Sequence, residues 1–137
     1  MKIAVDFDGT IVENKYPEIG EEQLFAFATL KEFQKQGHQL ILWTYRCGGS
    51  LREAIDFCKQ NGIDFYAVNK NYPEEKFDER ISRKIDADVY IDDKNIGGFL
   101  GWSKIWELLG NDSFEQKQKQ FQKNNGSNGF FSLFKRK

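Results

Sequence analysis

Two carboxylates stand one residue apart, Asp6 and Asp8, in the stretch IAVDFDGTIVEN. In an extended chain, residues two apart point to the same side, so these like charges repel. A second acidic pair, Asp92-Asp93, ends the run DVYIDD. A hard divalent cation relieves such crowding, since Mg²⁺ takes oxygen ligands: one or two carboxylates, water and substrate phosphate. Asp6 and Asp92 can each supply a carboxylate, and a backbone carbonyl near Asp8 a third oxygen. Without a metal, Asp6 and Asp8 read as a turn with helix-capping aspartates. That reading leaves Asp92-Asp93 unexplained.

The chemistry that suits such a centre is phosphoryl transfer. It needs an in-line nucleophile, a proton donor for the leaving oxygen and positive charge on the equatorial oxygens. One carboxylate can attack and form an acyl phosphate. A second can act as general acid and later as general base. Thr44 offers a hydroxyl to the phosphoryl group, and a lysine of the polar segment 69–84 offers positive charge. Arg46, directly after Thr44-Tyr45, either reaches a leaving group or second phosphate, which its geometry suits, or forms a surface ion pair. Asn69, Lys70 and Asn71 form either a rim or a simple turn. His38 is the single histidine and sits at a strand start, so it reads as structural.

The elements that must position these residues alternate along the chain. Lys2–Val5 is a short apolar strand, and residues 11–20 are irregular, with Pro17 and Gly20 as breakers. The spacing of Leu24, Phe25, Phe27, Ala28, Leu30 and Phe33 predicts a helix over 21–36, closed by Gly37. Gln39–Trp43 is a second strand, residues 50–61 a helix with Ser50 as N-cap, and Asp64–Val68 a third strand. Asp88–Ile91 is a fourth strand, and Leu100, Trp102, Ile105, Trp106 and Leu109 mark a last helix. This alternation predicts an α/β fold with a parallel sheet. Ligand sites in such sheets lie outside the carboxyl ends of the strands. Asp6, Asp8, Thr44, Asp92 and Asp93 all fall there.

Composition sets the bounds. At 137 residues, with thirteen Phe, five Tyr and three Trp, one domain can bury a core without disulfides. Cys47 and Cys58 have no metal-ligand spacing and read as free thiols. The first apolar run lasts three residues and no stretch reaches about 20 apolar residues, so neither a signal peptide nor a membrane span is expected. The expected location is cytoplasmic. Charge is uneven: residues 111–137 carry six Lys/Arg against two Asp/Glu, whereas 1–110 carry fourteen against nineteen. The chain is therefore expected to divide into an acidic domain, 1–110, and a polar basic tail, 111–137, that ends in FFSLFKRK. That tail either packs back on the domain or docks a partner, and there is no strong nucleic-acid or membrane signal.

DFDGT after a strand, LILWT as strand plus terminal Thr, and Lys84 leading into KIDADVYIDD follow in that order. Together they resemble the four motifs of the haloacid dehalogenase (HAD) superfamily, over residues 1–110. The resemblance implies a three-layer Rossmann-like fold with a central, mainly parallel sheet. It also implies Mg²⁺-dependent hydrolysis of a phosphate monoester through an aspartyl phosphate. Asp6 would be nucleophile and metal ligand, and Asp8 the acid/base, with its backbone carbonyl also on the metal. Thr44 and Lys84 would hold phosphoryl oxygens, with Arg80 and Arg83 as alternative cations. Asp92 would bind metal directly, and Asp93 would bind it through water or steady the site. Gly9 and Thr10, with Tyr45 and Arg46, are assigned to substrate binding.

Relatives often insert a cap domain between motifs, but residues 11–43 and 45–83 are nearly filled by the elements above, so this chain reads as capless. An open site then leaves water exclusion to a phosphorylated substrate, to a homo-oligomer or to the 11–20 flap. A response-regulator receiver also gathers acids, Thr and Lys at strand ends, but in a different order. A catalytically silent HAD-like binding protein and a phosphotransferase to an acceptor other than water are the alternatives the same motifs leave.

Overall fold

The computed structural model describes residues 1–110 and 122–123. Four short strands form one sheet: β1 (Lys2–Val5), β2 (Gln39–Leu42), β3 (Ala67–Val68) and β4 (Val89–Ile91), in the order β3-β2-β1-β4. All pairs are parallel. Three helices accompany them among the described residues: α1 (Ala26–Lys35), α2 (Gly48–Gln60) and α3 (Trp102–Leu109). The expected α/β class with a parallel sheet is present.

Register explains why the functional candidates meet. Val5 pairs with Leu42 and with Ile91, and Leu42 pairs with Val68. The ladder runs one residue further, through Asp6 N–H to the Ile91 carbonyl (2.9 Å), Trp43 to Val5 (2.8 Å) and Asn69 to Leu42 (2.8 Å). Asp6, Trp43 and Asn69 thus leave the sheet at one level, and Asp92 follows Ile91 there.

The central strands are apolar on both sides, as a parallel sheet covered on both faces requires. Ile3, Val5, Leu40 and Leu42 are buried on one side of the pleat. On the other, Ala4, Ile41 and Ala67 cluster with Ile85, flanked by Trp43, Tyr66, Ala87 and Tyr90. Phe57 of α2 meets Phe7 and Phe27 at centroid distances of 6.3 and 5.8 Å. His38 lies before β2 with its ring 6.0 Å from Phe33, at the end of the strand remote from Asp6.

Several boundaries differ from the sequence reading. Helix α1 begins at Ala26 rather than 21, because residues 21–23 return along 11–13. The Glu13 N–H donates to the Glu21 carbonyl (2.8 Å), Gln23 donates to Ile11 (2.8 Å), and Val12 bridges Glu22. Phe25 then adopts φ +67, which no helix continues, and Leu24 and Phe25 are exposed rather than part of the apolar stripe. The Glu22 carboxylate accepts from the Phe27 N–H (3.0 Å) and caps the new start. The stretch expected to be irregular carries no strand or helix over 13–21, but its base is closed by one antiparallel bridge, Val12–Glu22, which makes it a narrow flap. A Cβ at Gly20 would sit 2.1 Å from the Glu13 carbonyl oxygen, so its two arms cross at glycine contact distance. Helix α2 begins at Gly48, and the Ser50 hydroxyl donates to the Cys47 carbonyl (3.0 Å) instead of capping. β3 is shorter than expected, Ala67–Val68. Leu100 is exposed and precedes α3.

The chain divides into two units, Met1–Trp102 and Ser103–Lys137. Every strand, α1, α2 and all the candidate residues lie in the first. Of the second, the described part carries most of α3, which stops where the Gly110 N–H donates to the Trp106 carbonyl (2.7 Å). The 111–137 tail, including its terminal aromatic segment, lies outside the described residues save for 122–123. Between Thr10 and Thr44 stand only the flap, α1 and β2, and between 45 and 83 only α2 and β3. No helix among the described residues is long and apolar enough to cross a membrane.

Candidate functional site

The ladder's carboxyl edge brings Asp6, Asp92 and Asp93 together, with one carboxylate oxygen of each within 4.8 Å of the others. Thr10, fully buried, ties two of them to the backbone. Its hydroxyl donates to the Asp6 carboxylate (3.0 Å) and accepts from the Asp93 N–H (3.0 Å). Its carbonyl accepts from the buried Trp102 indole N–H (2.8 Å), fixing the turn from below. Gly9 lies beside Asp93 at φ +87, and a Cβ there would fall 2.2 Å from the Asp93 carboxylate. Its N–H is spent on the Val12 carbonyl (2.8 Å).

Gly9 and Thr10, expected on the substrate side, are therefore internal supports for the acidic cluster. The Gly9 N–H and the Thr10 hydroxyl, N–H and carbonyl all have internal partners, and Thr10 has no exposed surface. Gly9→Ala is expected to lower stability by about 1–3 kcal/mol, from left-handed strain and displacement of Asp93. Divalent-ion affinity should fall with it. Thermal denaturation with and without Mg²⁺ checks both.

The cluster has an electrostatic deficit. Burial, the adjoining Asp93 carboxyl and the field of Asp92 push the Asp6 carboxyl up from 3.8 to about 8, against the Thr10 hydroxyl, which favours ionisation. Three carboxyl groups this close favour keeping a proton among them. All the donors are oxygen, which suits a hard ion of the Mg²⁺ type.

Asp8 does not join that cluster through its carboxylate. Arg46 holds it in a two-pronged pair, Nε to Oδ2 and Nη2 to Oδ1, each 2.8 Å. The same guanidinium donates to the carbonyls of Pro17 (3.0 Å), Glu18 (2.7 Å) and Ser50 (3.2 Å). All five of its N–H groups are thus used. It lies 5.0 Å from the Phe7 ring centroid and 5.3 Å from that of Tyr16, and its side chain has no exposed surface. Hydrogen bonding to Asp8 pushes the Arg46 pKa up, in opposition to burial. Both sequence readings of Arg46, a substrate contact or a surface ion pair, give way to a buried clamp joining Asp8, the flap and the start of α2. Arginine suits this role because one planar fork can serve a carboxylate and three carbonyls at once.

A cavity of about 630 Å³ opens over these residues, with Asp6, Asp8, Thr44, Asp92 and Asp93 in its wall. The Thr44 hydroxyl accepts from the Arg46 N–H (3.1 Å), and its own N–H donates to the Asn69 side chain (2.8 Å). Asn69, at φ +53 just after β3, pins the end of β2 and so positions Thr44. Lys84 does not line this cavity: its ammonium lies 5.2 Å from the Tyr90 ring centroid while the next residue, Ile85, is buried in the core. Arg80 pairs with Asp78 at the surface (3.0 Å). The lysine in the wall is Lys94, whose N–H donates to Asp92 (2.8 Å). The signal for Lys94 was its place directly after the acidic pair. Asn14 and Tyr16 of the flap, with Trp43 and Tyr45, complete the wall. Tyr45 was expected on the substrate side and the 11–20 flap, which carries Asn14 and Tyr16, over the site; for Trp43 the sequence offered only its adjacency to Thr44.

Neither a protein-family model nor a curated protein matches the chain. Among solved structures, the conserved protein coded by a locus of Bacteroides thetaiotaomicron is 55% identical, with a TM-score of 0.75, over 80% of this chain and 88% of that one. This chain belongs to the family of that conserved protein. At this identity and TM-score the two chains share a fold. The Bacteroides relative's description names no reaction, so chemistry for the family has to come from the site.

Proposed function

We propose that this protein is a capless Mg²⁺-dependent phosphatase of the HAD superfamily, with the three-layer Rossmann-like core of that group. One observation carries the reading. Asp6, Asp8, Thr44, Asp92 and Asp93, scattered over the sequence, share one cavity at the carboxyl edge of a parallel sheet. Three of those carboxylates are close enough to share an ion.

Asp6, Asp92 and Asp93 would hold Mg²⁺, which supplies charge neutralisation to the carboxylates and to the phosphoryl oxygens. Asp6, ionised, attacks phosphorus and forms the aspartyl phosphate as the ester oxygen leaves. Asp8 gives that oxygen its proton and later takes one from the attacking water. Arg46 engages one lone pair on each Asp8 oxygen, and a carboxylate offers about four, so a site for this proton remains. The clamp keeps the carboxyl aimed while the proton moves. Thr44 donates its hydroxyl to a phosphoryl oxygen, and Lys94 is the lysine best placed for the equatorial charge.

The test is phosphate release from p-nitrophenyl phosphate by the full chain, with Mg²⁺ and after chelation. Turnover that needs Mg²⁺ is expected. No release, or release indifferent to chelation, would refute the reading.

A second expectation concerns pH. In the metal-free protein the folded-state pKa of Asp6 is raised from 3.8 to about 8, so folding retains a proton that the unfolded chain gives up. Its contribution to stability therefore falls as pH rises from about 4 through 8. Bound Mg²⁺ replaces that proton, so the rise in Tm on adding Mg²⁺ should be larger at pH 8 than at pH 5. Equal rises at both would count against Asp6 as a ligand.

A further inference from the structure

We propose that the cavity accepts nucleoside monophosphates, with the base stacked at an aromatic lip while the phosphoryl group meets Asp6. The inference rests on the phosphatase reading of the same cavity and adds the class of leaving group.

The cavity's volume, about 630 Å³, lies within the ~300–1,000 Å³ of small-molecule sites and greatly exceeds one phosphoryl group. The rest leaves room for a group larger than phosphate, and the wall says what kind. Away from the carboxylates it is aromatic: Tyr16, Trp43 and Tyr45. Tyr45 is 90% exposed although two other aromatic residues share its cavity, and it meets Tyr16 edge to face, centroids 6.2 Å apart at 67°. An inclined pair of this kind forms a corner that a flat ring fills by stacking on one member and meeting the edge of the other. The Arg46 guanidinium lies 5.3 Å from the Tyr16 ring centroid and favours its place in the corner. The lip thus rests on the buried Arg46 through Tyr16, itself half exposed, and presents Tyr45 to solvent.

Charge narrows the choice. Among the described residues, Lys94 is the only Lys or Arg in the wall, against four aspartates of which Asp8 is already paired. One phosphoryl group, with its metal, suits that balance. A di- or triphosphate would bring further negative charge against carboxylates. Asn14, whose side-chain oxygen accepts from the Tyr16 N–H (3.3 Å), puts an amide beside the aromatic pair, where the polar edge of a base would lie. Stacking on tyrosine tolerates every base, since each has a π-face. Selectivity among bases is therefore expected to be weak.

The test measures binding, so that it stands apart from turnover. The full-length Asp6→Asn protein, with Mg²⁺, is titrated calorimetrically with adenosine 5′-monophosphate, ribose 5-phosphate, phenyl phosphate and inorganic phosphate. The nucleotide is expected to bind at least tenfold more tightly than the other three. Tyr45→Ala, at a surface position that the fold does not need, should reduce that advantage to below threefold, and Tyr45→Phe should restore it. Equal affinity for the nucleotide and ribose 5-phosphate, or a ratio untouched by Tyr45→Ala, overturns the proposal. Phenyl phosphate binding as tightly as the nucleotide overturns the nucleoside assignment. Failure of the phosphatase reading would show separately, as no phosphate release from any ester by the unsubstituted protein.

Discussion

Asp6→Asn is expected to abolish Mg²⁺-dependent phosphate release, by on the order of 10³-fold or more, as removal of a covalent nucleophile does. The loss of turnover comes without loss of fold. Asparagine has the shape of aspartate and keeps an oxygen for the Thr10 hydroxyl, which now lies 3.0 Å from the carboxylate. The charge it deletes is one that burial and two neighbouring aspartates already disfavour. The variant's metal-free Tm at pH 8 should therefore match or exceed that of the parent, while its gain in Tm on adding Mg²⁺ shrinks. Steady-state phosphate release alongside thermal denaturation separates the two effects. Unchanged turnover would sink the nucleophile assignment. Lost turnover with a lowered metal-free Tm would mean a structural role instead.

The largest effect on stability is expected at Arg46. Arg46→Met leaves the Asp8 carboxylate, only 14% exposed, without its partner and strands the Pro17, Glu18 and Ser50 carbonyls. Removing one member of a buried pair costs about 3–5 kcal/mol, because the remaining charge stays desolvated. For a domain of this size that lowers Tm by about 10 °C or more. Arg46→Lys keeps the charge but has three donors in place of five, so an intermediate loss is expected. Changing Asp8 to Asn in the Arg46→Met background should recover part of the stability, since the orphan charge is gone. A loss below about 1 kcal/mol for Arg46→Met, measured by chemical denaturation, would show that the clamp does not hold the flap.

The Bacteroides relative extends the fold to a family. Within that frame, what was legible beforehand followed from local rules. An apolar run reads as a buried strand because both of its faces are covered. Acids placed directly after such runs must emerge at a strand end. Since crossovers in an α/β chain return each strand parallel to the last, Asp6, Thr44 and Asp92 had to reach one edge. The convergence was therefore implicit in residue order.

Partnership was not. Helical spacing alone carried the predicted helix back to residue 21, while residues 21–23 were already committed to hydrogen bonds with 11–13. Lys84 sits at a fitting distance along the chain from Asp92, yet the burial of Ile85 turns that stretch so that the lysine ends over Tyr90 and Lys94 lines the cavity instead. Gly9 and Thr10 looked like phosphate contacts until the turn closed and spent their polar groups on Asp93, Asp6 and Val12. Arg46 found Asp8 across 38 positions of sequence. Periodicity and turn chemistry report which face a residue buries and where a strand ends, and that much the sequence determined alone. Which donor meets which acceptor depends on loops from separate strands arriving at one level, and only the tertiary structure decides that.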